Sequence, residues 1–213
     1  MLAVRALTCR RGERLVFADL DFAIPPGGAA LLRGSNGSGK STLLRCLAGL
    51  LPPAAGLVLW DGRAAADDAE EFRARLHYLG HLDGVKPALS LGENLHFWQS
   101  LRGRADPALA RRALDAFGLL PLAELPAILL SAGQRRRLAL ARLLAAPAAL
   151  WLLDEPNAAL DEESHGRLAA ALERHRAAGG IVIAAAHGSF DLAGATVLAL
   201  DRFRPPPGRD APW

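Results

Sequence analysis

A stretch near residue 40 has the residue types and spacing of a phosphate-binding loop. The pattern is a glycine, four residues, and then glycine, lysine and serine, directly after the apolar residues 29–32. Glycines let backbone N–H groups wrap a phosphate chain, and a helix that begins there points its positive dipole end at the anion. We therefore predict a nucleoside triphosphate site formed by Gly34, Ser35, Asn36, Gly37, Ser38, Gly39, Lys40, Ser41 and Thr42.

Two side chains of this loop have specific chemistry. The ammonium group of Lys40 can reach the β- and γ-phosphates, and the hydroxyl of Ser41 can bind Mg²⁺. The chain has 25 lysines and arginines, of which only Lys40 and Lys86 are lysines. Because one of these two lysines falls where the chemistry requires it, a chance glycine-rich turn is a poor explanation of the pattern.

Two acidic residues, Asp154 and Glu155, follow the apolar run 150–153. Open α/β sheets place their ligand sites at the carboxyl ends of the strands. Asp154 is suited to hold Mg²⁺ through its water shell, and Glu155 is suited to polarise a water that attacks the γ-phosphate. Alone, the pair would indicate a solvated strand end, but together with the phosphate loop it predicts a hydrolytic site.

A sheet of parallel strands must position these residues. Short apolar runs typical of strands alternate with helical patterns, which predicts an α/β fold with crossover helices. An antiparallel edge is expected from residues 2–8 and 13–24. Further strands are expected near residues 29–33, 57–60, 76–80, 150–153, 181–186 and 196–200, and their alternation with helices predicts that the sheet of the core is parallel.

Residues 85–126 have a helical period and predict an inserted lobe. Its aromatic pair, Phe97 and Trp98, indicates core packing, with a surface that contacts a partner as the alternative. Ser131 can begin a further helix that runs to about Ala145.

Three more segments complete an ordered set of motifs: Leu130-Ser-Ala-Gly-Gln134, Asn157-Ala-Ala-Leu-Asp161 and Ala185-Ala-His187. They resemble the LSGGQ signature, the D-loop and the switch histidine of ATP-binding cassette (ABC) ATPases. The phosphate loop and the acidic strand end resemble the Walker A and Walker B motifs of the same family. This resemblance covers nearly the whole chain.

The resemblance implies a P-loop NTPase core with an inserted helical subdomain in a single nucleotide-binding domain, residues 1–213. The core would comprise residues 1–84 and 146–201, the helical subdomain about 85–145, and the tail 202–213. In this family two cassettes share each ATP, so the resemblance also implies a homodimer. The signature motif of one subunit binds the γ-phosphate that the other subunit's Walker A motif holds.

The same resemblance implies roles for individual residues. His187 would contact the γ-phosphate and orient Glu155, and these two residues with Lys40 would form the catalytic set. Nucleotide contacts outside the phosphate loop are implied for Ser131, Ala132, Gly133, Gln134 and Asp161.

Three positions depart from the pattern of the family. Ala132 replaces the first central glycine of the signature. An aromatic residue that stacks on adenine is absent near residues 9–12, where Arg11 or Arg10 could stack its guanidinium plane instead. His81 stands near the usual position of a glutamine that binds Mg²⁺ and couples to a membrane subunit. Because imidazole is a poor ligand for Mg²⁺, we expect His81 to act in coupling rather than in metal binding.

The departures, the short length and the segments around Tyr78–His81, Gly84–Pro87 and Glu93–Leu95 resemble one branch of the family. This branch contains the ATP-binding subunits of haem exporters that serve cytochrome c maturation. The resemblance implies integral membrane partners and a place on the cytoplasmic side of a bacterial inner membrane. The alternatives are the ATPase subunit of another small bacterial exporter and a non-transport ABC ATPase.

Composition limits the remaining possibilities. A chain of 213 residues, 51% of them hydrophobic, can bury one substantial α/β core. The net charge of +3 is spread over scattered arginines, so we expect no nucleic-acid partner. Cys9 and Cys46 lack the spacing of a zinc site or a disulfide framework, and we expect both to be structural. No apolar run approaches the roughly 18 residues that a membrane span requires, so attachment to a membrane is expected only through partners.

Overall fold

The structure is a computed structural model and describes residues 1–103, 105–186 and 190–204. The chain packs as two compact units. One, which we call the core unit, comprises Met1–Tyr78, Ala149–Glu155 and His175–Trp213. The other, the helical unit, comprises Leu79–Ala148 and Pro156–Arg174. The domain boundaries that the sequence suggests stay a prediction.

Strands and α-helices alternate along most of the chain. The strands are β1 (Leu2–Arg11), β2 (Arg14–Ile24), β3 (Ala29–Arg33), β4 (Ala55–Trp60), β5 (Arg63–Ala64), β6 (Leu76–Leu79), β7 (Leu150–Asp154), β8 (Ile181–Ala185) and β9 (Thr196–Ala199). The α-helices are α1 (Lys40–Leu47), α2 (Ala69–Ala74), α3 (Leu91–Ser100), α4 (Pro107–Ala116), α5 (Ala132–Ala145) and α6 (Glu162–Ala177). Short 3₁₀ turns cover Leu120–Leu122, Ala127–Leu129 and Leu200–Phe203.

The first sheet is antiparallel, in the order β2-β1-β4-β5. Its strands β1 and β2 confirm the expected antiparallel edge. The edge is larger than expected, because the strand predicted at residues 57–60, for which the sequence indicated no partner, belongs to β4 and pairs with β1. The two-residue strand β5 follows the turn at Asp61 and Gly62. It is too short to show the hydrophobic alternation by which a strand is predicted from sequence.

The second sheet has the order β6-β7-β8-β3-β9, and the pairings of β3 with β8, β3 with β9, and β7 with β8 are parallel. Every residue of β7 and β8 is buried, as expected for central strands that are covered on both faces. This sheet confirms the predicted α/β fold. It also brings the carboxyl ends of β3, β7 and β9 to one edge.

The helical unit contains α3, α4 and α5, which pack on one another through buried residues such as Leu95, Ala113 and Leu138. Ser90 begins α3 with a capping box that also includes Glu93. Asp106 caps α4, in which Pro107 is the first residue. Helix α2, in the core unit, is too short for its hydrophobic period to predict it.

Cys9 and Cys46 are free thiols, and both are buried. Their Sγ atoms lie 3.3 Å apart, within the apolar core beside Leu43 and Phe17. Within residues 1–103, 105–186 and 190–204, no helix is long and apolar enough to cross a membrane.

Candidate functional site

The predicted phosphate loop connects β3 to α1, as the motif requires. Helix α1 begins after Gly39, which has φ 99° and provides no side-chain cap. A Cβ atom at Gly39 would lie 2.6 Å from Cγ1 of Val16, so both the backbone angle and the close packing require glycine. The first hydrogen bond of the helical ladder runs from the N–H of Leu43 to the carbonyl of Gly39, at 2.8 Å. The N–H groups that precede Leu43 on α1 lie before this first bond of the ladder, and N–H groups at a helix start suit an anion.

Lys40 is buried at the start of α1, with 8% of its surface exposed. Its Nζ atom donates hydrogen bonds to the carbonyl oxygens of Gly34, at 2.8 Å, and Ser35, at 3.1 Å. Burial lowers the pKa of Lys40, and the carboxylates of Asp201, Glu155 and Asp154 oppose this shift. The side chain thus folds back over the loop and lies within electrostatic reach of three acids.

Asp154 and Glu155 lie where β7 ends, in the same unit as the phosphate loop. Asp154 is the last residue of β7 and is buried. Glu155 has φ 49°, and its N–H donates to the carbonyl of Ala185 on β8, at 2.7 Å. This left-handed backbone turns the chain sharply after the strand, so that two successive acids can have separate roles.

One residue of the phosphate loop has a partner that the sequence analysis missed. Ser35 donates two hydrogen bonds to the carboxylate of Asp201, just beyond β9. Asp201 belongs to none of the predicted motifs. The available signal was its position, since it lies two residues beyond the parallel strand β9, at the same edge of the sheet as Glu155.

The signature segment begins α5 in the helical unit. Ser131 accepts a hydrogen bond from the N–H of Gln134, at 3.2 Å, and the side chain of Gln134 accepts one from the N–H of Ser131, at 2.9 Å. This capping box confirms the predicted start of the helix. Ala132 and Gly133 form the first turn, whose N–H groups make this end of α5 electropositive.

The segment Asn157–Asp161 lies beside the signature in the same unit. A Cβ atom at Gly133 would lie only 2.9 Å from the carbonyl oxygen of Ala159, and Ala159 has φ 60°. Asp161 accepts a hydrogen bond from the N–H of Ser164, at 2.9 Å, at the start of α6. Hydrogen bonds from Ser164 lower the pKa of Asp161, so this carboxylate stays ionised.

Arg11 is exposed at the end of β1, opposite Arg14 on β2. His187 lies outside the described residues. His81 is exposed in the segment 80–89, which we call the His81 loop, and it is followed by Leu82, whose side chain is 84% exposed.

Buried side chains from α3 and α5 hold the base of the His81 loop. The guanidinium of Arg136, 5% exposed, donates to Oδ1 of Asp83 at 2.8 Å and to the carbonyl of Gly80 at 3.3 Å. Asn94 accepts a hydrogen bond from the N–H of Lys86 at 2.8 Å. The Asn94 side chain also donates to the carbonyls of Lys86, Leu89 and Ser90.

The aromatic pair of α3 is partly buried and lies under cations. The Lys86 ammonium lies 4.5 Å from the ring centre of Phe97, and the Arg142 guanidinium lies 4.2 Å from that of Trp98. Burial lowers the pKa of Arg142 to about 10, with the charge of Arg102 as the next cause. The pair therefore packs within the helical unit, as the first of the two interpretations predicts.

These features suit a nucleoside triphosphate with its metal. The start of α1 and Lys40 suit phosphates, and the hydroxyl of Ser41 and the carboxylate of Asp154 are the hard oxygen donors that Mg²⁺ prefers. Among the described residues, no group of three or more histidine, cysteine, aspartate or glutamate side chains could hold a metal by itself. Mg²⁺ at such sites usually takes its further ligands from substrate phosphates and from water.

Comparisons with known proteins agree with this chemistry. The family model described as ABC transporter matches residues 17–158. The cytochrome c biogenesis ATP-binding export protein CcmA of Rhodospirillum rubrum is 58% identical over 205 residues, which cover 96% of this chain and 88% of that protein.

Solved structures share the fold. A putative ABC transporter ATP-binding protein from Pyrococcus furiosus superimposes with a TM-score of 0.84 at 24% identity, covering 96% of this chain and 99% of that one. The ATP-binding cassette MJ0796, in a dimeric post-hydrolysis state bound to ADP and Pi, superimposes with a TM-score of 0.78 at 25% identity and covers 88% of each chain.

Proposed function

The chain belongs to the ABC transporter family and, within it, to the CcmA-type ATP-binding export proteins, and from this premise we propose its specific role. It hydrolyses ATP to drive the export or release of haem for the maturation of c-type cytochromes. Integral membrane subunits of that system are its partners, and they hold it at the cytoplasmic face of a bacterial inner membrane.

The observation that carries the proposal is the arrangement around Lys40. A buried ammonium group folds back onto the carbonyls of Gly34 and Ser35, at the uncapped start of a helix and within electrostatic reach of Asp154 and Glu155. A phosphate chain offers this ammonium stronger acceptors than two carbonyl oxygens do, because hydrogen bonds to ionised acceptors are the stronger kind. The proposed substrate is therefore a nucleoside triphosphate, and the family implies ATP.

The residues around the phosphates have complementary tasks. The N–H groups of the phosphate loop wrap the phosphate chain, and Lys40 bonds to the β- and γ-phosphates. Ser41 and, through water, Asp154 would hold Mg²⁺. When bound, the metal would supply positive charge that stabilises the charge on the phosphate oxygens.

Glu155 is the proposed general base. Its backbone is held by the hydrogen bond to Ala185, so its carboxylate can accept a proton from a water in line with the γ-phosphate. His187, two residues beyond Ala185, would contact the γ-phosphate and orient Glu155 and the water. This role for His187 rests on the family resemblance.

A second copy of the chain would complete the site. The start of α5, with Ser131, Gly133 and the N–H groups of the first turn, suits an anion, here the γ-phosphate bound to the partner copy. Gln134 and Asp161 would hold this surface in shape through their bonds to Ser131 and Ser164. The dimer of the similar cassette MJ0796 supports this arrangement.

The adenine contact is proposed for Arg11. The side chain is exposed at the end of β1, where a guanidinium plane could stack on the base. Arg10 is a weaker alternative, because its guanidinium also donates to the carbonyl of Glu13, at 3.4 Å.

The His81 loop is the proposed contact with the membrane subunits. His81 and Leu82 are exposed, whereas Asp83 behind them is tied to Arg136 on α5, the helix that carries the signature at its start. A force on the exposed residues would therefore reach α5. We expect His81→Ala to leave the basal ATPase of the isolated protein within a few fold and to depress both partner-stimulated ATPase and cytochrome c maturation.

Gene deletion followed by complementation tests the role in haem export. Deletion should abolish covalently haem-bound c-type cytochromes, measured by haem staining and absorbance spectra of membranes. The wild-type gene should restore them, and Glu155→Gln should not. Glu173→Gln, the same chemical change at an exposed position of α6, is the matched control and should restore them fully. Normal cytochrome c in the deletion strain would contradict the haem assignment.

A further inference from the structure

Asp201 contacts the first turn of the phosphate loop through both of its oxygens. Oδ2 accepts a hydrogen bond from the backbone N–H of Ser35, at 3.0 Å, and Oδ1 accepts one from the Ser35 hydroxyl, at 2.8 Å. The carboxylate of Asp201 therefore accepts two hydrogen bonds from one residue of the loop. Asp201 also lies beyond the part of the chain, residues 17–158, that the family model matches.

The register of the parallel sheet brings the two residues together. Strands β3 and β9 pair in parallel, and Arg33 lies opposite Ala199. Ser35 is two residues past Arg33, and Asp201 is two residues past Ala199, so both leave the same edge of the sheet side by side. Leu200, fully buried, anchors the turn that carries Asp201. The contact is thus a product of the strand register and of the buried anchor at Leu200.

Ser35 is held on both sides. Its N–H and hydroxyl bind Asp201, while its carbonyl accepts the hydrogen bond from Lys40 Nζ at 3.1 Å. Of the carboxylates that counter the effect of burial on the pKa of Lys40, Asp201 has the largest influence. Hydrogen bonds from Ser35 lower the pKa of Asp201, which keeps its charge at neutral pH. The Nε atom of Arg204 lies 3.5 Å from Oδ1 of Asp201.

We propose that Asp201 is a positioning residue of the nucleotide site. By fixing Ser35, it keeps the first turn of the phosphate loop and the Lys40 ammonium close to the arrangement that a triphosphate requires. ATP then binds with little rearrangement of the loop. This inference rests on the proposed ATPase activity, but it does not depend on haem or on membrane partners.

Asp201 could instead weaken nucleotide binding through its negative charge. Asp201 is an acid near the place where phosphates would bind, and a like charge repels an anion. If repulsion were its main effect, removing the charge would tighten ATP binding. If Asp201 positions the loop, removing it weakens binding. The sign of the change therefore distinguishes the two roles.

The test is steady-state ATPase kinetics of the purified protein, with ATP affinity measured by displacement of a fluorescent ATP analogue. Asp201→Ala should raise KM and the dissociation constant of ATP about five- to tenfold and leave kcat within about twofold, since it removes two charge-assisted hydrogen bonds made before the chemical step. Asp201→Asn keeps an acceptor without the charge, so its KM should rise about two- to threefold. Asp191→Asn, the same change at another exposed aspartate, should leave KM unchanged.

A double-mutant cycle separates positioning from a general structural role. Ser35→Ala removes the hydroxyl and retains the N–H, and should raise KM about two- to threefold. The Ser35→Ala, Asp201→Ala double variant should be no worse than Asp201→Ala alone, because the two side chains act through one contact.

Additive effects in that cycle, or an unchanged or lowered KM in Asp201→Ala, would overturn the inference. If Asp201→Ala does not fold, Asp201→Asn and Ser35→Ala decide by the same criteria. Failure of the wild-type protein to bind ATP would instead overturn the proposed function itself.

Discussion

The phosphate loop and the His81 loop are built in opposite ways. The first, in the core unit, is shaped by its own backbone, with Gly39 at φ 99° and α1 starting immediately afterwards. The second, in the helical unit, is shaped by side chains from two helices, above all the buried Arg136 and Asn94. A loop that wraps an anion must present its backbone N–H groups to that anion. A loop that holds exposed residues in a fixed position needs hydrogen bonds from buried side chains to its own backbone or side chains.

This difference predicts a separation of function from stability. Removing the Lys40 side chain should abolish activity at little cost to folding, because burial disfavours its charge, as its lowered pKa shows, and this offsets the loss of its hydrogen bonds. Changes at the base of the His81 loop should destabilise the fold, because they remove partners from buried charge.

The largest effect is expected at Lys40. Lys40→Ala should lower the ATPase rate by at least about 100-fold, because it removes the charge that stabilises the transferred phosphoryl group. The free energy of unfolding should change by no more than about 1 kcal/mol. Phosphate release and urea denaturation of the same preparation measure the two quantities. A large loss of stability in Lys40→Ala would break the proposed separation.

Glu155→Gln should also stop hydrolysis, but with a different consequence. The nucleotide still binds, so we expect a stable dimer in saturating ATP and Mg²⁺. Size-exclusion chromatography with and without ATP detects it, and Glu173→Gln is the control. A Glu155→Gln protein that remains monomeric in saturating ATP would contradict the shared site.

The next effect concerns Asp83, which is 26% exposed and faces the 5% exposed Arg136. Asp83→Ala should lower the free energy of unfolding by about 2–3 kcal/mol, because the charge of a buried guanidinium loses its carboxylate. Its control is Glu163→Ala, which removes a 75% exposed carboxylate from an i,i+4 pair with Arg167 and should cost less than about 1 kcal/mol. Equal losses in the two variants would mean that the base of the His81 loop is not specially stabilised.

The smallest effect is expected at His175, a buried ionisable group of the core unit that lies outside the phosphate loop and should make stability depend on pH. His175 stacks on Trp151 with ring centres 3.9 Å apart, and burial lowers its pKa below the ordinary value of 6.5. The unfolded chain, in which His175 has its ordinary pKa, therefore binds a proton more readily than the folded chain does. The contribution of His175 to stability is lost as pH falls through about 6.5, and the loss levels off below the lowered pKa of the folded chain. His175→Phe retains the stacking and should reduce this pH dependence, measured by urea denaturation between pH 5 and 8. An unchanged dependence would assign the slope to other groups.

The sequence predicted best those features that local chemistry determines. Ser131 predicted the start of α5, and the apolar run 150–153 predicted a strand that is fully buried in the structure. The glycine pattern predicted the phosphate loop before α1. In each case the residues that define the feature are neighbours along the chain.

Features that depend on residues far apart in the sequence could not be predicted. Arg136 and Asp83 are 53 residues apart, and Ser35 and Asp201 are 166 apart, so no motif contains either pair. Residues 57–60 were predicted as a strand without a partner, and their pairing with β1 could not be predicted, since an isolated apolar run does not specify its neighbour. The roles of the site residues stay predictions, and His187 is among the residues that the structure does not describe.

The close approach between the signature segment and the carbonyl of Ala159 has a consequence for how this protein can evolve. The first central position, Ala132, already has a methyl group where the family pattern has glycine. At the second position, Gly133, any side chain would need a matching displacement of the Asn157–Asp161 backbone, which already adopts a left-handed turn at Ala159. The two segments, which are more than twenty residues apart in sequence, therefore cannot diverge independently, and a descendant that gains a side chain at position 133 must first gain a compensating change in the other segment.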